Sequence, residues 1–174
     1  REILSLTKST LYNSKSLTLI IVGSIFLHIP LGAGNFEVLW AVNERGFTSS
    51  EYNSLFGIFF IVGGSIGAVL GGVLSDKLNH LFKNGVMSFL TISYLVLIPL
   101  TISYRFVEPN TFIFYFTLFF ISLNVTFFYG PVFGSVQALT PVKVRSTMVA
   151  IFILGMNIVG MGVGSFFTGY SIDH

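Results

Sequence analysis

Residues Gly63–Lys77 read GGSIGAVLGGVLSDK: an apolar run with five glycines that stops at an acid–base pair. Inside a helix in water, each glycine would cost about 1 kcal/mol against alanine. In a bilayer the balance changes. Lipid tails are as apolar as leucine, so helices associate through close backbone approach, which small residues permit. Gly63, Gly67 and Gly71 recur every fourth residue and so form one row on a helix. The stretch reads as the end of a membrane-spanning helix with one flat face, and Asp76–Lys77 mark where it leaves the apolar layer.

The whole chain agrees with this. Of its 174 residues, 53% are hydrophobic and 9% charged, with a mean hydropathy of +0.84. Water-soluble domains carry about 25% charged residues. The net charge of +2 leaves no electrostatic footprint for nucleic acid, so no nucleic-acid partner is expected. With no cysteine, disulfides, thiol nucleophiles and Cys-ligated zinc are excluded. No signal peptide is visible. The chain opens on Arg1 and is expected to be a fragment.

A spanning helix needs about 20 mostly apolar residues. Five stretches qualify: Leu17–Val42, Tyr52–Ser75, Gly85–Tyr104, Thr111–Leu139 and Thr147–Ser171. The fourth is overlong and is expected to tilt or bend at Gly130–Pro131. Residues 1–16 form a cytoplasmic linker segment and 17–174 a transmembrane helical bundle. The fold class is thus an all-α polytopic membrane protein.

Orientation follows from Lys and Arg. Arg1, Lys8, Lys15, Lys77, Lys83, Lys143 and Arg145 fall on one side, and Arg45 and Arg105 on the other. This places the N-terminus in the cytoplasm and the chain in a cell membrane, inner or plasma. Asn124–Thr126 match a glycosylation sequon but lie deep in the fourth span.

The chain also echoes itself. A shift of 97 positions puts Gly63 on Gly160, Gly67 on Gly164, Gly72 on Gly169 and Asp76 on Asp173. The second and fifth spans then cross in opposite directions, as in the inverted repeats of secondary transporters. Three plus three spans would make six, so a last helix is expected to be absent. Gly63, Gly67, Gly71, Gly72, Gly160, Gly164 and Gly169 are the expected packing residues, with Asn157 as interhelical glue. Static packing and sliding both suit such stripes.

Gly72-Val73-Leu74-Ser75-Asp76-Lys77 resembles the cytoplasmic loop motif of the major facilitator superfamily, Gly-x-x-x-Asp-Arg/Lys. The family pattern continues with a glycine and two basic residues. Here Asn79, His80 and Leu81 stand instead, and Lys83 is displaced. Gly130 to Thr147, GPVFGSVQALTPVKVRST, followed by Asn157 to Gly164, NIVGMGVG, is similar to the tenth and eleventh helices of spinster-like and organic-anion members. Trp40, Arg45-Gly46-Phe47 and Glu51 agree as well. The resemblance covers the chain from about Leu17 onward. It implies the C-terminal half of a twelve-helix carrier, helices seven to eleven, whose partner is the N-terminal half of the same transporter.

Ionisable groups inside a span are costly and point to function. His28 lies about 16 Å along its helix from Leu17 at 1.5 Å per residue, near mid-bilayer. Pro30, Gly32 and Gly34 follow and are expected to interrupt the helix. His28 titrates near neutral pH when unperturbed, so it could carry a coupling proton; it could equally be a neutral, hydrogen-bonded histidine. Glu37 is expected at the outer interface, as a substrate or proton group or as a charge at the mouth of the cavity, a mouth that Asn35 and Trp40 could share. Asn124, Thr126 and Tyr129 cluster in the fourth span, where the resemblance borders the cavity; they could contact substrate or join helices. Asp76, with Lys77 beside it, and Arg145 are the candidate gate.

There is no catalytic grouping, metal-ligand spacing or phosphate loop, so neither an enzyme, a metal nor a cofactor is expected. The leading expectation is secondary transport of a small organic solute by alternating access, proton-coupled or not, as symporter or antiporter. The resemblance suggests organic anions or amphiphilic lipids. The alternative is a membrane receptor or partner-binding protein with a transporter-like fold.

Overall fold

The computed structural model describes residues 2–82 and 85–173; Arg1, Lys83, Asn84 and His174 lie outside them. The described residues form α1 (Glu2–Asn13), α2 (Lys15–Ala33), α3 (Glu37–Arg45), α4 (Ser49–Leu78), α5 (Val86–Ile102), α6 (Phe112–Phe127), α7 (Tyr129–Ala138), α8 (Arg145–Leu154) and α9 (Gly162–Asp173). They include no strand. Taken through their short joints, they give five helices long and apolar enough to cross a bilayer: Lys15–Arg45, Ser49–Leu78, Val86–Arg105, Phe112–Ala138 and Val142–Ile172. Each expected span is present within a few residues of its expected ends. Helix α1 fills most of the segment expected as a linker.

Two compact units arise, residues 1–37 with 132–174, and residues 38–131.

In the 38–131 unit, α4 lies along α6. Its glycine row is the reason it can. A Cβ on Gly63 would sit 3.0 Å from Phe119 Cε2 and 3.2 Å from Ser122 Cβ. On Gly67 it would run into the carbonyl of Leu123, and on Gly71 into that of Phe127. Gly72 differs: its Cβ position is open, and it instead offers its Cα to Gly130, whose own Cβ would meet it at 3.2 Å. Thr126 Oγ1 donates to Gly64 O at 2.6 Å and ties the same seam.

The start of α4 is held by a reciprocal cap. Thr48 N–H and Oγ1 donate to Glu51 Oε2 at 2.8 and 2.7 Å, and Glu51 N–H donates back to Thr48 Oγ1 at 3.2 Å. The end of α3 is closed by Gly46 at φ +74, which lets Phe47 N–H reach back to Ala41 O at 3.2 Å. This tight reversal drops Phe47 onto a core of Ala41, Tyr52, Tyr104, Phe114 and Leu118. Phe47 stacks on Phe114 with centroids 5.7 Å apart and meets Tyr52 edge-on at 5.8 Å.

The fourth span is interrupted at Phe128, just before the expected Gly130–Pro131, which lie inside α7. Pro131 has no N–H to offer Phe127 O, and helix α6 ends at Phe127, four residues before it. Phe128 joins α6 to α7.

In the 1–37/132–174 unit, α2 packs against the fifth span. Gly160 faces His28 and Ile25, and its Cβ would lie 2.6 Å from His28 Cβ and 2.7 Å from Ile25 O. Gly164 faces the carbonyl of Ile29, Gly32 faces that of Met161, and Gly169 makes an ordinary contact with Phe36 at 3.4 Å. Residue numbers rise together along both helices, so the first and fifth spans run parallel. The same holds for α4 and α6. Spans separated by an even number of crossings must run parallel in a bilayer, and both pairs obey this.

Two features depart from expectation. The first span is not interrupted beside His28: α2 continues through Pro30 to Ala33, and the break is a 3-10 turn at Gly34–Phe36. Between α8 and α9 the helix widens into a π-helical segment at Gly155–Met161.

Candidate functional site

His28 is 2% exposed, on the seam facing Gly160. Its Nδ1 lies 2.8 Å from Ser24 O. A carbonyl only accepts, so Nδ1 carries a proton and donates. Ser24 is itself buried and donates to Ile20 O at 2.8 Å.

The break after α2 is bridged to the fifth span. Asn35 Nδ2 donates to Ser165 Oγ at 3.0 Å, and Ser165 Oγ donates to Gly32 O at 3.0 Å. Asn35 is therefore joined to a neighbouring helix through Ser165, a residue the sequence reading missed. Only its place beside Gly164, on the packed row, could have marked it. Glu37 opens α3, where a carboxylate suits the helix N-terminus.

In the 38–131 unit, Tyr94 OH donates to Asn124 O at 3.3 Å. Asn124 Oδ1 is buried and has no hydrogen-bond partner among the described residues, and the same is true of Ser122 Oγ. Tyr129 stacks beside Phe128, ring centroids 4.3 Å apart. Thr126, expected in a substrate path, spends its hydroxyl on Gly64 O. We expect Thr126→Val to cost about 0.6 kcal/mol, the average for interhelical hydrogen bonds in membranes. Thermal unfolding in micelles checks this, with no larger loss than that.

Of the expected gate, Asp76 and Lys77 lie exposed in the last turn of α4. Arg145 begins α8, with its Nε buried and without a partner among the described residues. Asp76 and Arg145 belong to different units. Asn157, expected as glue between helices, is exposed and donates to Ile153 O of its own helix at 2.9 Å. That carbonyl sits just before the π-helical segment, where the widened turn displaces ordinary backbone pairing.

A cation–aromatic cluster was also missed. Arg45 and Arg105, 60 residues apart, both stack on Trp40, their Cζ atoms 4.8 and 4.7 Å from its ring centroid. Arg45 also donates to Val107 O at 3.3 Å and to Arg105 O. It thereby satisfies carbonyls released where α5 ends. A depression of about 260 Å³ near this end is lined by Gly46, Phe47, Glu51, Leu55, Asn110 and Tyr115. None of the expected substrate residues lines it.

Among the described residues, no group of three or more His, Cys, Asp and Glu side chains could hold a metal. No protein-family model, no curated protein and no solved structure matches this chain.

Proposed function

We propose that the chain is one half of a secondary transporter of the major facilitator kind, carrying a small organic solute by alternating access. One observation carries the reading. The two glycine seams are built alike, each inside its own unit. Gly63 meets Phe119 O and Ser122 Cβ, as Gly160 meets Ile25 O and His28 Cβ. Gly67 meets Leu123 O and Thr126, as Gly164 meets Ile29 O and Gly32. The glycines differ by 97 positions in both cases, and the residues they meet by 94 in all four.

A repeated helix pair, read with the alternation of Lys and Arg between joints, is what an inverted repeat requires. His28 then occupies the position equivalent to Ser122, on a seam where two spans meet. It is the candidate proton carrier. Asn124, whose buried Oδ1 has no partner among the described residues, is the candidate substrate contact. Asp76, Lys77 and Arg145 belong to the cytoplasmic side, where an ion pair would bias closure by about 0–1 kcal/mol.

The test is counterflow in vesicles of the protein joined to its N-terminal half, using a panel of labelled organic acids and lysophospholipids. Saturable counterflow of at least one compound, lost in Asn124→Ala and uncoupled from protons in His28→Gln, is expected. Unsaturable, voltage-driven current would replace the carrier by a channel. Intact partner binding without flux in the wild type would replace it by a receptor.

A further inference from the structure

Helix α1 presents an unpartnered face of mixed apolar and basic character. Leu4 is 68% and Tyr12 89% exposed, and Lys8 lies exposed between them. These three recur every fourth residue and form one row. The adjacent row, Ser5, Ser9 and Asn13, is equally exposed but wholly polar. Thr7, on a third side, is buried. The helix therefore has one side turned into the unit and two exposed sides of opposite chemistry.

Its placement is fixed at both ends. Extended Ser14 breaks the helix before α2, and its Oγ accepts from Leu17 N–H. Thr18 Oγ1 donates back to Leu11 O at 2.7 Å, so α1 leaves the axis of the span. At its other end Lys143 Nζ pairs with Glu2 Oε1 at 2.5 Å, and α1 packs against the turn Val142–Val144. Lys15 begins the first span and Val142 the fifth, and these spans run parallel. Helix α1 thus stretches between two points on the same edge of the apolar layer.

We propose that α1 lies in the headgroup layer of the membrane and binds an anionic lipid surface. Leu4 and Tyr12 enter the boundary with the acyl chains, and Lys8 and Lys15 reach lipid phosphates. The occupant follows from charge and continuity. The exposed row of α1 carries Lys8 and no carboxylate, and Lys15 lies exposed just past the Ser14 break, a charge balance that suits anionic headgroups. The first span that follows it turns Leu19 and Phe26 outward, 71% and 65% exposed, as a lipid-facing surface would. Mixed apolar and basic helices of this kind settle in the interface plane. This inference needs only that the chain spans a bilayer, and stands apart from transport.

The absence of cysteine lets single-cysteine spin labels report each position. The protein would be labelled at Leu4→Cys, Tyr12→Cys, Ser5→Cys or Ser9→Cys, one at a time. Each would be placed in nanodiscs of phosphatidylcholine, with or without one part phosphatidylglycerol. Labels at 4 and 12 should relax faster with oxygen than with a water-soluble nickel chelate, and labels at 5 and 9 the reverse. Phosphatidylglycerol should deepen position 12, and the Lys8→Gln/Lys15→Gln variant should lose that deepening. Nickel-rich labels at both 4 and 12 would overturn the proposal, as would shielding from both reagents, which signals cover by protein. Deepening that persists without the lysines would overturn it too. All four labelled positions are exposed, so labelling removes no packing.

Discussion

Gly71→Ala and Gly164→Ala each lower stability by about 3 kcal/mol, at the upper end for overpacking, whereas Gly72→Ala and Gly162→Ala do not. The reason is direction, not sequence. A Cβ on Gly71 points at the carbonyl of Phe127, and one on Gly164 at the carbonyl of Ile29. Neither obstacle is the end of a flexible side chain, so the helices themselves must separate. Gly72 and Gly162 have nothing within 4 Å of that position, and alanine there removes the helix cost of glycine, up to about 1 kcal/mol. Reversible unfolding in mixed micelles would measure all four. Equal losses at Gly71 and Gly72 would sink the proposed seam. The comparison is sharp because those two residues are neighbours in the chain whose Cβ directions differ by about 100° around one helix.

The second large effect is expected at Phe114. Its side chain is fully buried among Ala41, Tyr52, Tyr104 and Leu118, and Phe47 stacks on it. Removing the ring leaves a cavity lined by Ala41, Phe47, Tyr52, Tyr104 and Leu118. Phe114→Ala should therefore cost about 3–5 kcal/mol. Phe112→Ala, two residues earlier and 80% exposed, should cost almost nothing. Denaturant midpoints read by helical circular dichroism would separate them. A loss at Phe112 as large as at Phe114 would mean that the face assignment of α6 is wrong.

Much of the architecture could be read directly from residue order. Length and hydropathy place all five spans, because a bilayer demands long unbroken apolar helices and little else makes them. The glycine rows could be read for the same reason: spacing by four is a property of the helix alone. What could not be read is pairing. That Gly63, Gly67 and Gly71 meet α6, and Gly160 and Gly164 meet α2, is set by tertiary packing between distant segments. Of the three residues expected to interrupt the helix after His28, Pro30 removes one backbone donor without ending it and Gly32 stays helical; the turn comes at Gly34–Phe36. The bond of Asn157 to Ile153 O of its own helix could not be read, because the π-helical segment is not encoded by any simple period. Of the candidate site, His28 and Asn35 could be identified as polar groups in apolar surroundings. Their partners, Ser24 O and Ser165, could not.

The π-helical segment has a consequence for the two seams. A π turn holds one residue more than its α neighbours, so angle and residue count fall out of step beyond it. If that surplus residue moved one turn along, Gly160 would swing away from His28 while the remainder of the helix kept its backbone bonded. Helix α4 contains no surplus residue at the matching positions. Two seams alike in their glycine contacts thus differ in winding: the helix against His28 carries a surplus residue at the contact, and α4 does not.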